Sequence, residues 1–147
     1  MTKDAPAFSV VVPLYNAEKY IRATLASVAG QSFGDFEVVV IDDASTDGGP
    51  QIVQEMAQRD ARIRLIRQEN RGLAGARNSG IRAARGRYIA LLDADDQWLP
   101  RKLERHFAHL EANPGVGVSY APSIFMDDDG APMSVEQMPR MTGVDAI

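Results

Sequence analysis

Short β-branched runs take turns along this chain with longer stretches that place an apolar residue at every third or fourth position. "FSVVV" (Phe8–Val12), closed by Pro13, predicts a buried strand. Tyr20, Ile21, Leu25 and Val28 then keep one face of a helix, with Asn16 placed to cap it. Residues 30–34 turn the chain into "FEVVVI" (Phe36–Ile41), a second strand ending at Asp42 and Asp43. Pro50 suits the first turn of a helix that runs to about Gln58. Ile63–Ile66 reads as a third strand, Ala74–Ala84 as a small alanine-rich helix ended by Gly86, and Arg87–Leu92 as a fourth strand. Pro100 opens a last helix with Leu103, Phe107 and Leu110 on one face, stopped at Asn113-Pro114-Gly115. "VGVSYA" (Val116–Ala121) is expected as a fifth strand.

Strand and helix alternate throughout, which predicts an α/β fold: a mostly parallel sheet with helices on both faces and right-handed crossovers. Ligands of such sheets sit outside the carboxyl ends of the strands. Tyr15-Asn16, Asp42-Asp43, residues 70–78 and Asp93 to Asp96 each follow a predicted strand, so these polar clusters are expected to share one site. Beyond Pro122 the pattern weakens. "IFMDDDGAPM" suggests a hairpin turning at Asp129-Gly130, and the last residues keep no clear period. Residues 1–147 are read as a single domain.

Composition narrows the function classes. A chain of 147 residues, 45% hydrophobic and 24% charged, can bury a real core. It has no cysteine, which excludes disulfides and thiolate metal sites. No apolar run approaches the ~20 residues needed to span a bilayer. "MTKDAPAFSVVV" carries acid and proline where a leader needs an apolar stretch, so a cytoplasmic location is expected. The net charge of −4 argues against nucleic acid as a partner. Arginines at 59, 62, 64, 67, 71, 77, 82, 85 and 87 nevertheless crowd one segment. They are either solvated faces or a site for an anion, whose oxygens match the guanidinium fork.

The carboxylates carry the sharper signal. Asp93 and Asp95 stand two apart in an extended segment, so both point to one side and can approach one cation. Hard oxygen ligands of this kind suit Mg2+ or Mn2+, held by one or two carboxylates together with substrate phosphates. Asp96 fits better as support for the turn into the Pro100 helix, near whose N-terminus an acid is favoured. Asp43 can take ribose hydroxyls or a base N–H, against a plain turn role for "DDASTDGG". A dinucleotide fold would need G-x-G-x-x-G after the first strand, where this chain has "PLYNAE". A phosphate-cradling loop lysine, a phospho-receiver acid pair and a haloacid-phosphatase motif each fail on a specific residue. An EF-hand around Asp127, Asp129, Gly130 and Glu136 would start at Phe125, which cannot ligate calcium, so a hairpin turn is preferred. His106 and His109 lie off the apolar face of their helix and read as solvated.

Taken in order, "FSVVVPLYNAEKYIRATLASVAGQSFGDFEVVVIDDASTDGG" and "NRGLAGARNSGIRAARGRYIALLDADDQWLP" resemble the N-terminal half of the family 2 glycosyltransferases, from about Phe8 to Pro114. The resemblance implies a Rossmann-like GT-A fold, cut short on its C-terminal side. It implies an inverting transfer of sugar from a nucleoside-diphosphate sugar, in the first place a UDP-sugar, to a glycan or lipid-linked hydroxyl acceptor. Pro13, Tyr15 and Asn16 would lie against the nucleotide, and Asp43 would bind the base. Asn70 and Arg77 would close over base or phosphates. Asp93-Ala94-Asp95 would be the D-x-D element, with Asp93 towards ribose or metal and Asp95 the more direct ligand of Mn2+ or Mg2+. The family's catalytic base and acceptor site lie beyond the matched stretch, so no residue is assigned as the base. Glu136 and Asp145 are acids outside any recognised motif. The rival readings are a truncated or non-catalytic nucleotide-sugar-binding module and, less well matched, a nucleotidyltransferase, whose basic glycine-rich loop after the first strand is absent. A longer form of such an enzyme could associate peripherally with membranes. The oligomeric state is not legible.

Overall fold

The computed structural model describes residues 5–134. Its elements are β1 (Phe8–Leu14), α1 (Ile21–Ala29), β2 (Phe36–Asp43), α2 (Gly49–Arg59), β3 (Ile63–Gln68), α3 (Gly72–Ala83), β4 (Tyr88–Leu91) and α4 (Lys102–Ala112). The strands form one parallel sheet in the order β3-β2-β1-β4. The central strands β1 and β2 are buried along their whole lengths, which is why they read as unbroken apolar runs rather than as alternation.

The pleat sorts their side chains between two cores. Phe8, Val10, Val12, Leu14, Val38 and Val40 pack with Ile21, Leu25 and Val28 of α1, Val53 of α2, and Leu103 and Leu110 of α4. Burying each such aliphatic side chain contributes about 1.5–3 kcal/mol relative to leaving it exposed. On the opposite face Val39 and Ile41 meet Ala76, Ile66 and Ala83. There α3 presses close through Gly80, where a Cβ would overlap the Val11 side chain and crowd Ile41. Right-handed crossovers explain the division. The steps β1 to β2 to β3 lay α1 and α2 on one face, and the return to β4 lays α3 on the other.

At the amino ends of the strands lies a buried polar network that the hydrophobic pattern did not announce. Ser9 Oγ donates to Glu37 Oε1 (2.7 Å) and accepts from Gly86 N (2.8 Å). Glu37 also accepts from Arg85 N (2.7 Å) and from Arg64 Nε (3.1 Å). Burial works to raise the Glu37 carboxyl, but the hydrogen bonds from Ser9, Arg85 and Arg64 and the Arg64 charge outweigh it and hold it below the usual range.

Two compact units make up the chain, Met1–Pro114 and Gly115–Ile147. The second holds the expected hairpin turn: Met126 bridges Pro132 antiparallel, and Asp127 N donates to Ala131 O (2.9 Å). Asp127 Oδ1 takes the N–H groups of Asp129 and Ala131, and Gly130 adopts φ +84°, so turn chemistry rather than calcium accounts for these acids. Glu136 and Asp145 lie outside the described residues.

The expected fifth strand is absent. Residues 116–121 form no ladder among the described residues, and Val118 and Tyr120 are 78% and 90% exposed. Alternating β-formers without a strand to pair with or a face to cover gain nothing by extending. Among the described residues no helix is long and apolar enough to cross a membrane.

Candidate functional site

Three loops at the carboxyl ends of the strands build one cleft of about 510 Å3. Pro13, Tyr15, Asn16, Asp43, Asn70, Asp93 and Asp95 all line it, with Leu73 and Ala76 from α3. A larger depression of about 630 Å3, lined by Gln54, Ala57, Gln58, Leu65 and Arg67, is open and contains no acid. The chemistry therefore lies in the smaller cleft.

The loop after β1 corrects one expectation. Asn16 does not cap α1, whose N-cap is Tyr20. It takes φ +48°, a left-handed conformation that asparagine tolerates. Its Oδ1 accepts from Thr46 N (2.8 Å), and its N–H donates to Ser45 Oγ (3.1 Å). Glu18 continues the seam by accepting from Gly48 N (2.9 Å). The β1 and β2 loops are thereby stitched together, and Tyr15 is left 56% exposed at the rim of the cleft.

Asp42 and Asp43 belong to the strand itself, occupying the last two positions of β2, and are 4% and 3% exposed. Alternation along the strand separates their roles. Asp42 Oδ1 accepts from Ser45 N (2.9 Å) and its Oδ2 lies 3.8 Å from Arg67 Nε, which is turn and counter-charge work. Asp43 Oδ1 is fixed by Gln68 Nε2 (2.6 Å) and Arg71 N (2.9 Å), while Asn70 Nδ2 donates to the Asp43 carbonyl (3.2 Å). Its Oδ2 accepts no hydrogen bond among the described residues. A buried carboxylate gripped by one oxygen and open at the other can recognise an N–H or hydroxyl in the cleft.

From α3, Arg77 Nη2 reaches Asp93 Oδ1 at 2.6 Å. The buried Nε of Arg77 has no partner among the described residues. Elsewhere the arginine-rich segment balances acids: Arg62 with Asp60, Arg64 with Glu37 and Arg87 with Glu111. Solvated faces thus account for those three, while among the described residues Arg77 alone of the paired arginines holds the cleft's acid loop.

The acid loop follows β4. Asp96 N donates to Asp93 O (3.1 Å), closing a turn that exposes Asp95. Burial first, then the charges of Asp95 and Asp93, push the Asp96 carboxyl above its usual range. Asp95 makes no hydrogen bond or ion pair among the described residues, and Asp93 keeps Oδ2 beside the Arg77 contact. No group of three acids or imidazoles converges there among the described residues. Two carboxylates at the mouth of a cleft fit a divalent cation that takes its other ligands from phosphate and water.

Four positioning side chains escaped the sequence reading. Gln68 lies beyond the predicted end of the third strand, where the register sets it beside Asp43. Thr24, Ser27 and Gln31 form a polar edge along and just past α1. Thr24 Oγ1 donates to Ala94 O (2.7 Å), Ser27 Oγ accepts from Trp98 N (3.0 Å), and Gln31 Nε2 donates to Leu99 O (2.8 Å). Their spacing is visible in the sequence, but it reads as the solvent face of a helix whose apolar residues point into the core.

Known proteins resemble this chain in sequence and in fold. A family model described as "Glycosyl transferase family 2" matches residues 9–143. TuaG of Bacillus subtilis (strain 168), provisionally named a teichuronic acid biosynthesis glycosyltransferase, is 40% identical over 134 residues, 90% of this chain and 53% of its own. The Escherichia coli UDP-Glc:alpha-D-GlcNAc-diphosphoundecaprenol beta-1,3-glucosyltransferase WfgD is 42% identical over 71% of this chain and 41% of its own. Among solved structures, S. aureus TarS 1-349 in complex with UDP-GlcNAc superposes with a TM-score of 0.69 at 37% identity, over 73% of this chain and 32% of that one. The mannosyltransferase PcManGT from Pyrobaculum calidifontis, in complex with GDP-Man and Mn2+, gives 0.66 at 35% identity, over 76% of this chain and 34% of that one. The chain spans about half the length of TuaG and about a third of each solved chain.

Proposed function

The chain belongs to glycosyl transferase family 2, and on that premise we propose that its cleft holds the donor of an inverting sugar transfer, a nucleoside-diphosphate sugar and in the first place a UDP-sugar. The observation that carries this reading is the pairing of a buried, one-sidedly held acid with two further acids in one cleft. Asp43 stands at the end of β2 and Asp93 and Asp95 follow β4. Support comes from the relatives: WfgD is named for a UDP-Glc donor, TarS was solved with UDP-GlcNAc and PcManGT with GDP-Man and Mn2+.

In this reading the open oxygen of Asp43 accepts the N–H of the base, and Tyr15 offers its ring face beside it. Asn70 and Arg77 close over the nucleotide, Arg77 from behind the cleft wall, where it also holds Asp93. Asp93 serves ribose or metal, and Asp95 is the principal metal ligand. When bound there, Mn2+ or Mg2+ neutralises charge on the diphosphate as the sugar–phosphate bond breaks. The acceptor, a glycan or a lipid-linked hydroxyl, gives its proton to a carboxylate base. None of the cleft acids is given that role.

Calorimetric titration with UDP and with GDP, with and without Mn2+, tests the proposal. The wild-type chain should bind a nucleoside diphosphate more tightly when Mn2+ is present, and Asp95→Asn should lose that increment. Asp43→Asn should weaken binding about 10–100-fold with or without metal, the scale of a hydrogen bond to a charged group. Binding to neither nucleotide, or binding indifferent to both substitutions, would overturn the proposal.

A further inference from the structure

We propose that the polar edge that begins at Thr24 of α1 is a positioning device that sets the angle of the acid loop for metal. The inference rests on the donor-binding reading above. Thr24 is fully buried, and its hydroxyl donates at 2.7 Å to the carbonyl of Ala94, the residue between Asp93 and Asp95. Valine would fill the same space and add apolar burial. A threonine inside a helix also commonly turns its hydroxyl back to a carbonyl of its own preceding turn. Here the hydroxyl serves the acid loop instead.

The grip extends along the same edge. Ser27 Oγ donates to Thr24 O (2.7 Å) and accepts from Trp98 N (3.0 Å). Gln31, 8% exposed, donates to Leu99 O and accepts from Leu103 N (3.0 Å). Ser32 N reaches Pro100 O (2.8 Å). The descent from Ala94 into α4 is therefore held at four successive points, two on α1 (Thr24 and Ser27) and two on the turn just past it (Gln31 and Ser32). A hydrogen-bonded network anchored on buried Thr24 and Gln31 fixes geometry, which metal ligation needs and simple folding does not. Thr24 is a positioning residue: it acts through the backbone between the two acids and touches neither metal nor donor.

The test measures Mn2+ affinity by electron paramagnetic resonance of the full chain with saturating UDP, alongside thermal melting. Thr24→Val should weaken Mn2+ binding about tenfold or more, the usual effect of removing a partner that orients metal ligands. Thr24→Ser, which keeps the hydroxyl, should bind Mn2+ close to the wild type. Val28→Ala, a core cavity on the same helix, should lower the melting temperature without that loss. Should Thr24→Val fail to fold, Ser27→Ala reports on the same edge and should weaken Mn2+ binding too. Unchanged Mn2+ affinity in the folded edge variants, or an equal loss in Val28→Ala, overturns the clamp while leaving the donor reading intact. A wild type that binds no Mn2+ in the presence of UDP overturns both.

Discussion

Asp93 carries its counter-charge before any ligand arrives. Arg77 lies 2.6 Å away, so one charge of the acid loop is balanced internally while Asp95 is left for a cation. Acids at strand exits were legible because like charges packed together call for a cation. Thr24 and Gln68 were not, because a lone polar residue in a helix or strand looks like surface until its partner is known. Asn16 departs from its expected cap for a related reason: asparagine caps helices and adopts left-handed backbone equally well, and only the position of Thr46 decides between them. Glu104 gives a prediction at this scale. Hydrogen bonds from Arg101 and then from Ser32 hold its exposed carboxyl at about 2. Its folded value lies below the unfolded one, so its contribution is complete above the ordinary glutamate range and lost as pH falls through about 2. Glu104→Gln should melt slightly below the wild type at pH 7, with the gap closing towards pH 2. Melts that run parallel across that range would count against this.

Elements were read better than their ends. Four strands and four helices stand where period and punctuation put them, with shifts of a few residues. α3 begins at Gly72 and not at Ala74, it is ended by Ala84 and not Gly86, and α4 begins at Lys102. The failed element is instructive. Residues 116–121 have the composition of a strand, but composition supplies neither a neighbour nor a cover. The contact of α3 with the sheet shows how little room decides a position. Alanine is favoured over glycine in a helix by about 0.5–1 kcal/mol, yet at Gly80 the added methyl would overlap Val11. Overpacking of that kind costs about 1–3 kcal/mol, so the clash wins. Gly80→Ala should lower the midpoint of urea unfolding, and a higher midpoint would show that α3 can move away.

At the scale of the molecule, one parallel sheet puts recognition and stability at opposite ends. The cleft acids gather at the carboxyl ends of the strands, and the Ser9–Glu37–Arg64 network lies at the amino ends. The topology also has a consequence in time. Every ladder joins strands separated by at least one helix, and the longest loop is closed when β4 meets β1, Phe8 beside Tyr88. Non-local pairings of this kind form slowly. The acid loop hangs from β4, so the cleft should be the last part of the fold to assemble. In stopped-flow refolding, nucleoside-diphosphate binding should recover after the far-ultraviolet signal of the helices. Simultaneous recovery would mean that the β1–β4 ladder forms as early as its neighbours.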